Sequence, residues 1–224
     1  MNLKKVLAGL EGIKAKGEID REVTSIENDS RKVIEGSLFF AIKGFTTDGT
    51  QFIPNAIENG AKVILVDESA DIKNLKLPQD VTLLVVPDAR YAMAICSSNF
   101  YDHPSEKFKL VGVTGTKGKT TTTFMIKEIL QKQGIKTGLI GTIAIYSGDK
   151  KIKDSDRTTP ESIELQKIFK QMADDGCKVV VMEVSSQSLK LNRVAGCNFD
   201  IAVFTNFSED HISEKEHPDM QDYF

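Results

Sequence analysis

An apolar run passes through a glycine-containing loop into a threonine-rich helical stretch at Val111–Gly112–Val113–Thr114–Gly115–Thr116–Lys117–Gly118–Lys119–Thr120–Thr121–Thr122–Thr123. A strand that turns so abruptly into a helix points to an α/β fold with ligands at the strand ends. Gly115 and Gly118 let backbone N–H groups turn toward an anion. Lys119 supplies a point charge for β- and γ-phosphates, and the Thr120 hydroxyl can hold Mg²⁺ at the helix start. The expected ligand is a nucleoside triphosphate. The strict spacing of Gly, four residues and Gly-Lys-Ser/Thr is not met, because Val113 stands at the first position and Gly112 lies one residue too early. The plain alternative is a Gly/Thr turn between strand and helix; Gly-Lys-Thr at the junction favours the phosphate reading.

The 224 residues are 40% hydrophobic and 27% charged, with a net charge of −3. That balance suits a globular chain with a sizeable core and offers no basic field for nucleic acid, so anionic ligands must be held by local loops. No apolar run reaches the length of a membrane span, and the first residues lack a secretory core, so a cytoplasmic monomer without membrane attachment is expected. Cys96, Cys177 and Cys197 have no paired spacing and read as buried free thiols.

Strand and helix alternate along the chain. Apolar residues 38–42, 62–67 and 81–86 read as strands, with helical spacing at Phe52, Ile53, Ala56 and Ile57 and again from an Asp88 N-cap to Phe100. The polar segment 102–107 carries Pro104 and marks the expected boundary between a domain at 1–107 and one at 108–224. In the second, a helix runs from Lys119 to Gly134, and strands are expected near 136–141, 178–184 and 199–205. Thr159 and Pro160 read as N-cap and first residue of a helix bearing Ile163, Ile168, Phe169 and Met172, closed by Gly176. These four or so strands are fewer than a doubly wound nucleotide domain usually needs, and residues 220–224 look like the opening of another helix. Residues 148–153 read as an exposed, charged hairpin, and His103 and His217, each beside a proline, as solvated turn residues.

The loop closely resembles that of the Mur ligases, the ATP-dependent amino-acid-adding enzymes of peptidoglycan synthesis. Asp29–Ser30–Arg31, Gly36–Ser37–Leu38–Phe39–Phe40–Ala41, Gly44, Asp48–Gly49 and Phe52–Ile53–Pro54–Asn55–Ala56–Ile57 resemble the N-terminal domain of the MurE-type branch. Thr158–Thr159–Pro160–Glu161, Met182–Glu183–Val184–Ser185–Ser186 with Arg193, and Phe204–Thr205–Asn206–Phe207–Ser208–Glu209–Asp210–His211 resemble central-domain motifs, in family order.

The resemblance implies an N-terminal α/β domain for the UDP-substrate and an incomplete P-loop-type parallel-sheet ATPase domain. The implied ligase adds a third amino acid, lysine or meso-diaminopimelate, to UDP-N-acetylmuramoyl-L-alanyl-D-glutamate through an acyl phosphate, with ATP and Mg²⁺. It implies that Thr114, Gly115, Thr116, Lys117, Gly118, Lys119 and Thr120 hold ATP. Ser30, Thr46 and Thr47 would touch UDP, and Thr158, Thr159, Ser185 and Arg193 the muramoyl-dipeptide. By the same resemblance Lys119, Glu183 and His211 are the catalytic set, with Thr120, Glu183 and His211 on magnesium. Read without it, Ser30 fits an Asx-type turn, Thr159 a helix cap and His211 a loop histidine. Gln187, Leu191 and residues 213–219 depart from the family pattern, and a family lysine and C-terminal domain are expected beyond residue 224, so this stretch alone is expected not to ligate. A divergent paralogue, a folylpolyglutamate-type synthetase and a stand-alone UDP-sugar and nucleotide-binding module are the other readings.

Overall fold

The computed structural model describes residues 1–44, 47–73, 75–210, 212 and 217–223, so Thr46 and His211 lie outside the described residues. The chain divides into two compact units, Met1–Phe100 and Tyr101–Phe224. Among the described residues no helix is long and apolar enough to cross a membrane.

The first unit contains α1 (Leu3–Val6), β1 (Lys14–Lys16), β2 (Ile26–Glu27), β3 (Ser37–Ala41), α2 (Ile53–Glu58), β4 (Ala61–Asp67), β5 (Thr82–Val86) and α3 (Ala89–Phe100). The sheet order is β1-β5-β4-β3-β2, with β2 to β5 parallel and β1 antiparallel on β5. β3 and β4 are near-continuous apolar runs because both faces of the sheet are covered, which is how central parallel strands read. Pro54 sits in the first turn of α2, where its missing N–H costs nothing. Asp88 caps α3: its carboxylate accepts from Arg90 N at 2.8 Å and Tyr91 N at 2.9 Å. Phe39, Ile53, Ile64 and Val66 form the core on one side of the sheet.

The second unit contains β6 (Lys109–Thr114), α4 (Lys119–Lys132), β7 (Thr137–Ile140), β8 (Ala144–Ser147), β9 (Lys150–Asp154), α5 (Ser162–Asp174), β10 (Val179–Glu183), α6 (Ser186–Lys190), β11 (Ile201–Phe204) and α7 (Met220–Tyr223). The order β11-β6-β10-β7-β8-β9 has four parallel strands and a final antiparallel hairpin. Six strands therefore replace the four or so expected, because β8 is a buried sheet member and β9 its exposed edge. Leu110, Ile140, Ile168, Phe169, Met172 and Met182 pack into the main core, where Phe108 meets Phe169 edge to face at 5.4 Å. The other side of the sheet is thinner, with Val111, Val113 and Val181 under Ile126 and Val203.

Two local expectations fail. The helix expected to start at Thr159 starts at Ser162, with Glu161 at the N-cap. Thr159 is fully buried instead, donating to Glu183 O at 2.9 Å and accepting from Ser185 N at 3.1 Å. The hydroxyl is turned toward the end of β10 and so away from the first turn of α5. His217 is not solvated either: it is 2% exposed and both ring nitrogens are engaged. His103 is in an exposed left-handed turn before Pro104, and the cysteines are free, Cys96 and Cys177 buried and Cys197 half-buried. Burial pushes the Cys96 and Cys197 thiols up to about 12.

Candidate functional site

β6 and β10 run side by side, with Glu183 in register with Val113, so both chains leave the sheet at the same edge. β6 then enters the loop of Gly115 to Gly118, whose glycines take φ of +127° and +87°. Only glycine tolerates such a backbone cheaply, and a Cβ on Gly115 would lie 2.3 Å from Thr205 Oγ1.

The segment after β11 clamps this loop. Asn206 O accepts from Thr116 N at 2.9 Å, and Asn206 Oδ1 from Lys117 N at 3.0 Å. Thr205 Oγ1 and Asn206 Nδ2 both donate to Lys117 O, at 2.8 and 2.9 Å. Thr116 is 5% exposed, its hydroxyl accepting from Ser208 N at 3.0 Å and lying 2.9 Å from Tyr223 Oη. Thr116 and Lys117 thus shape the cradle with these groups, whereas the first turn of α4 presents N–H groups that no intrahelical carbonyl can take. Asn206 carries this clamp, and its sequence signal was membership of the motif after β11 that resembles the family's, with no role attached to it.

Lys119 Nζ folds back on the loop, donating to Gly115 O at 2.5 Å and Thr116 O at 3.0 Å. Burial pulls its ammonium below the ordinary lysine value, against the opposing charges of Glu183 and Asp210.

Glu183 is 1% exposed and fully hydrogen-bonded. Oε1 accepts from Thr142 N at 2.9 Å; Oε2 accepts from Thr120 Oγ1 at 2.9 Å and Thr142 Oγ1 at 3.1 Å. Thr142 Oγ1 also donates to Thr158 Oγ1 at 3.1 Å, so its single proton is shared between Thr158 and Glu183. Thr142 was not legible as a site residue; Gly141 before it was the signal, since a Cβ there would lie 2.3 Å from Glu183 Oε1. Ser185 caps α6 by accepting from Ser188 N at 3.2 Å. Arg193, 5% exposed, pairs with Glu161 Oε1 at 3.0 Å and donates to Thr159 O at 3.4 Å.

Thr120, Thr142, Thr158, Thr159, Glu183, Ser185 and Arg193 are therefore linked by hydrogen bonds at one sheet edge, next to Lys119, with Thr159, Glu183 and Arg193 buried. Thr114 ends β6 beneath it. Ser30 and Thr47 belong to the first unit. Ser30 is buried in a one-turn helix at Ser30–Lys32 where its carbonyl accepts from Asn59, and Asp29 caps the turn; exposed Thr47 closes a turn onto Gly44.

Residues 113–224 match the Mur ligase middle domain. The chain belongs to the Mur ligase family. Residues 22–101 match the catalytic domain of the same family. Over all 224 residues the chain is 51% identical to a UDP-N-acetylmuramoyl-L-alanyl-D-glutamate–2,6-diaminopimelate ligase of Clostridium botulinum (strain ATCC 19397 / Type A). It is 48% identical to the ligase of that name from Clostridium tetani (strain Massachusetts / E88), and it spans 45% of the length of each. A solved structure of a ligase with that name superposes over the whole chain and 43% of its own length, with a TM-score of 0.78 at 24% identity. MurF from Acinetobacter baumannii superposes over 99% of this chain and 43% of its own, with a TM-score of 0.61 at 20% identity. Both Mur ligase structures share the fold: α/β units built on parallel sheets.

Proposed function

We propose that this chain forms the nucleotide and UDP-muramoyl-peptide binding part of a ligase that joins diaminopimelate to UDP-N-acetylmuramoyl-L-alanyl-D-glutamate. The observation that carries the reading is the buried Glu183 carboxylate hydrogen-bonded to Thr120, next to Lys119 on a glycine loop. The choice of diaminopimelate over lysine, which the residues leave open, is supported by the names of the Clostridium relatives.

Glu183 and Thr120 fit Mg²⁺, because both offer oxygen and this ion needs only one or two protein oxygens besides phosphates and water. Among the described residues no cluster of three His, Cys, Asp or Glu side chains competes as a metal centre. When bound, the ion would neutralise charge between phosphate and carboxylate groups. The first turn of α4 would cradle the phosphates, and Lys119 would move from its own loop carbonyls to the transferring phosphoryl group. Thr158, Thr159, Ser185 and Arg193 would orient the peptide end so that its D-glutamyl carboxylate attacks the γ-phosphorus in line and displaces ADP, giving an acyl phosphate whose carbonyl carbon an amine then attacks with release of inorganic phosphate. Ser30, Thr46 and Thr47 would take the UDP end, and His211 would share the ion with Glu183. No side chain becomes a nucleophile.

Calorimetry tests this reading. The chain is expected to bind Mg²⁺ with the non-hydrolysable analogue AMP-PNP, and separately UDP-N-acetylmuramoyl-L-alanyl-D-glutamate, each at one site. Failure to bind the UDP compound would remove the ligase assignment; binding only that compound would remove the phosphate-loop assignment.

A further inference from the structure

His217 joins two parts of the site that the motifs treat separately. Its Nε2 lies 2.9 Å from Ser186 Oγ, in the first turn of α6, and its Nδ1 lies 2.7 Å from Asp222 Oδ2. The ring also packs on Tyr223, centroids 5.1 Å apart, and Tyr223 packs on Phe207 at the same spacing. Tyr223 is 9% exposed and its hydroxyl is 2.9 Å from Thr116 Oγ1, inside the phosphate loop. Lys190, at the other end of α6, holds Asp222 at 2.6 Å. One short segment therefore grips the phosphate loop with Tyr223 and the helix capped by Ser185 with His217 and Asp222.

We infer that residues 217–223 couple the nucleotide loop to the peptide-binding edge, with His217 and Tyr223 as positioning residues. This rests on the binding roles proposed above. Ser185, capping α6, also donates its backbone N–H to Thr159 Oγ1, and Thr159 Oγ1 donates to Glu183 O. A shift of α6 thus reaches both the peptide-side hydroxyls and, through His217 and Tyr223, the loop around Thr116. Closely packed side chains with few alternative arrangements carry such shifts. The order serine, histidine, carboxylate is also that of a hydrolytic relay. Here, however, Asp222 Oδ2 is shared with the Lys190 ammonium, and the imidazole is packed between two elements as a tie.

The test uses two substitutions that each remove a single hydroxyl, one at either end of the tie. Ser186→Ala takes the partner from His217 Nε2, and Tyr223→Phe takes the contact from Thr116. Calorimetry measures Mg²⁺ with AMP-PNP in the absence and presence of saturating UDP-N-acetylmuramoyl-L-alanyl-D-glutamate, and the reverse titration. Wild type is expected to show each ligand tightening the other about fivefold or more, by the same factor in both directions as linkage requires. Each variant is expected to bring that factor to within about twofold of one. Ser186→Ala should also weaken the nucleotide on the far side of the tie. Thermal melts establish that both variants are folded; if either is not, His217→Gln, which keeps a donor for Ser186, is read in its place and should retain part of the coupling.

Wild type binding both ligands with no cross-effect would overturn the coupling while leaving the binding reading intact. Effects confined to the ligand nearest each substitution would overturn it too. So would wild-type turnover of a p-nitrophenyl ester abolished by Ser186→Ala, which would make the serine a nucleophile. Absence of nucleotide binding in wild type would instead fall on the proposed function, and the coupling would fall with it.

Discussion

Gly141 shows how much the site depends on what is missing from a side chain. Glu183 Oε1 occupies the space a Cβ would need, at 2.3 Å, and meets the backbone N–H of Thr142 there. Gly141→Ala must push the carboxylate off that N–H and away from Thr120. We expect it to weaken Mg²⁺-dependent AMP-PNP binding about tenfold, the scale of one lost charge-assisted hydrogen bond. Equal affinity in the variant, measured by calorimetry, would mean that Glu183 has no part in holding the ion. Residue identity was legible here only in part. Lys119, Thr120 and Glu183 stood out because strand ends and a glycine loop bracket them in sequence. Thr142 and His217 did not, since a threonine after a strand and a histidine beside a proline look alike whether solvated or buried. Distant residues decide their environments: Glu183 for Thr142, Ser186 and Asp222 for His217.

Elements follow the same logic. The passage from β6 through the loop into α4 is readable because apolar alternation gives way to helix within a few residues. β1 and β2 were unreadable, being three and two residues long, too short to show any period, and Lys14–Lys16 is wholly exposed. Thr159 misled because a threonine before a proline resembles a cap until β10 arrives to bury it. α5 is held by Phe169, fully buried between Phe108 and the sheet. Phe169→Ala should cost about 3–5 kcal/mol in urea unfolding, and a cost below about 1 kcal/mol would show that the core collapses to fill the gap.

The start of β11 depends on charge. Asp200 donates its N–H to Leu110 O at 2.9 Å, while its carboxylate takes Lys109 Nζ at 2.6 Å and Leu110 N at 2.9 Å. The Lys109 hydrogen bond first, and then that of Leu110, hold the carboxyl below its ordinary range. A depressed folded value means the carboxylate stabilises the fold above the unfolded value of about 3.9, and that this contribution is lost as pH falls through the lower, folded value. Asp200→Asn should therefore flatten the decline of melting temperature below about pH 4. An unchanged acid limb would show that Asp200 does not contribute to it.

At the scale of the whole molecule, each unit has its own sheet and core, and the Gly115–Gly118 loop, Glu183 and the hydroxyls of Thr158, Thr159 and Ser185 all lie within Tyr101–Phe224. Parallel-sheet units of this kind were legible from repeated apolar runs, and so was the exposed hairpin at 148–153; that its strands β8 and β9 extend the second sheet was not, because its lysines read only as a solvated face. The net charge of −3 leaves no broad positive field, so phosphate affinity must come from Lys119 and the N–H groups around it. The most direct measurement is therefore calorimetric titration of Mg²⁺ with AMP-PNP into the wild-type chain and into Lys119→Ala. Saturable one-site binding by wild type, weakened at least about tenfold in the variant, is the expected result. Equal affinity in both, or heat from neither, would contradict the assignment of this loop to a nucleoside triphosphate.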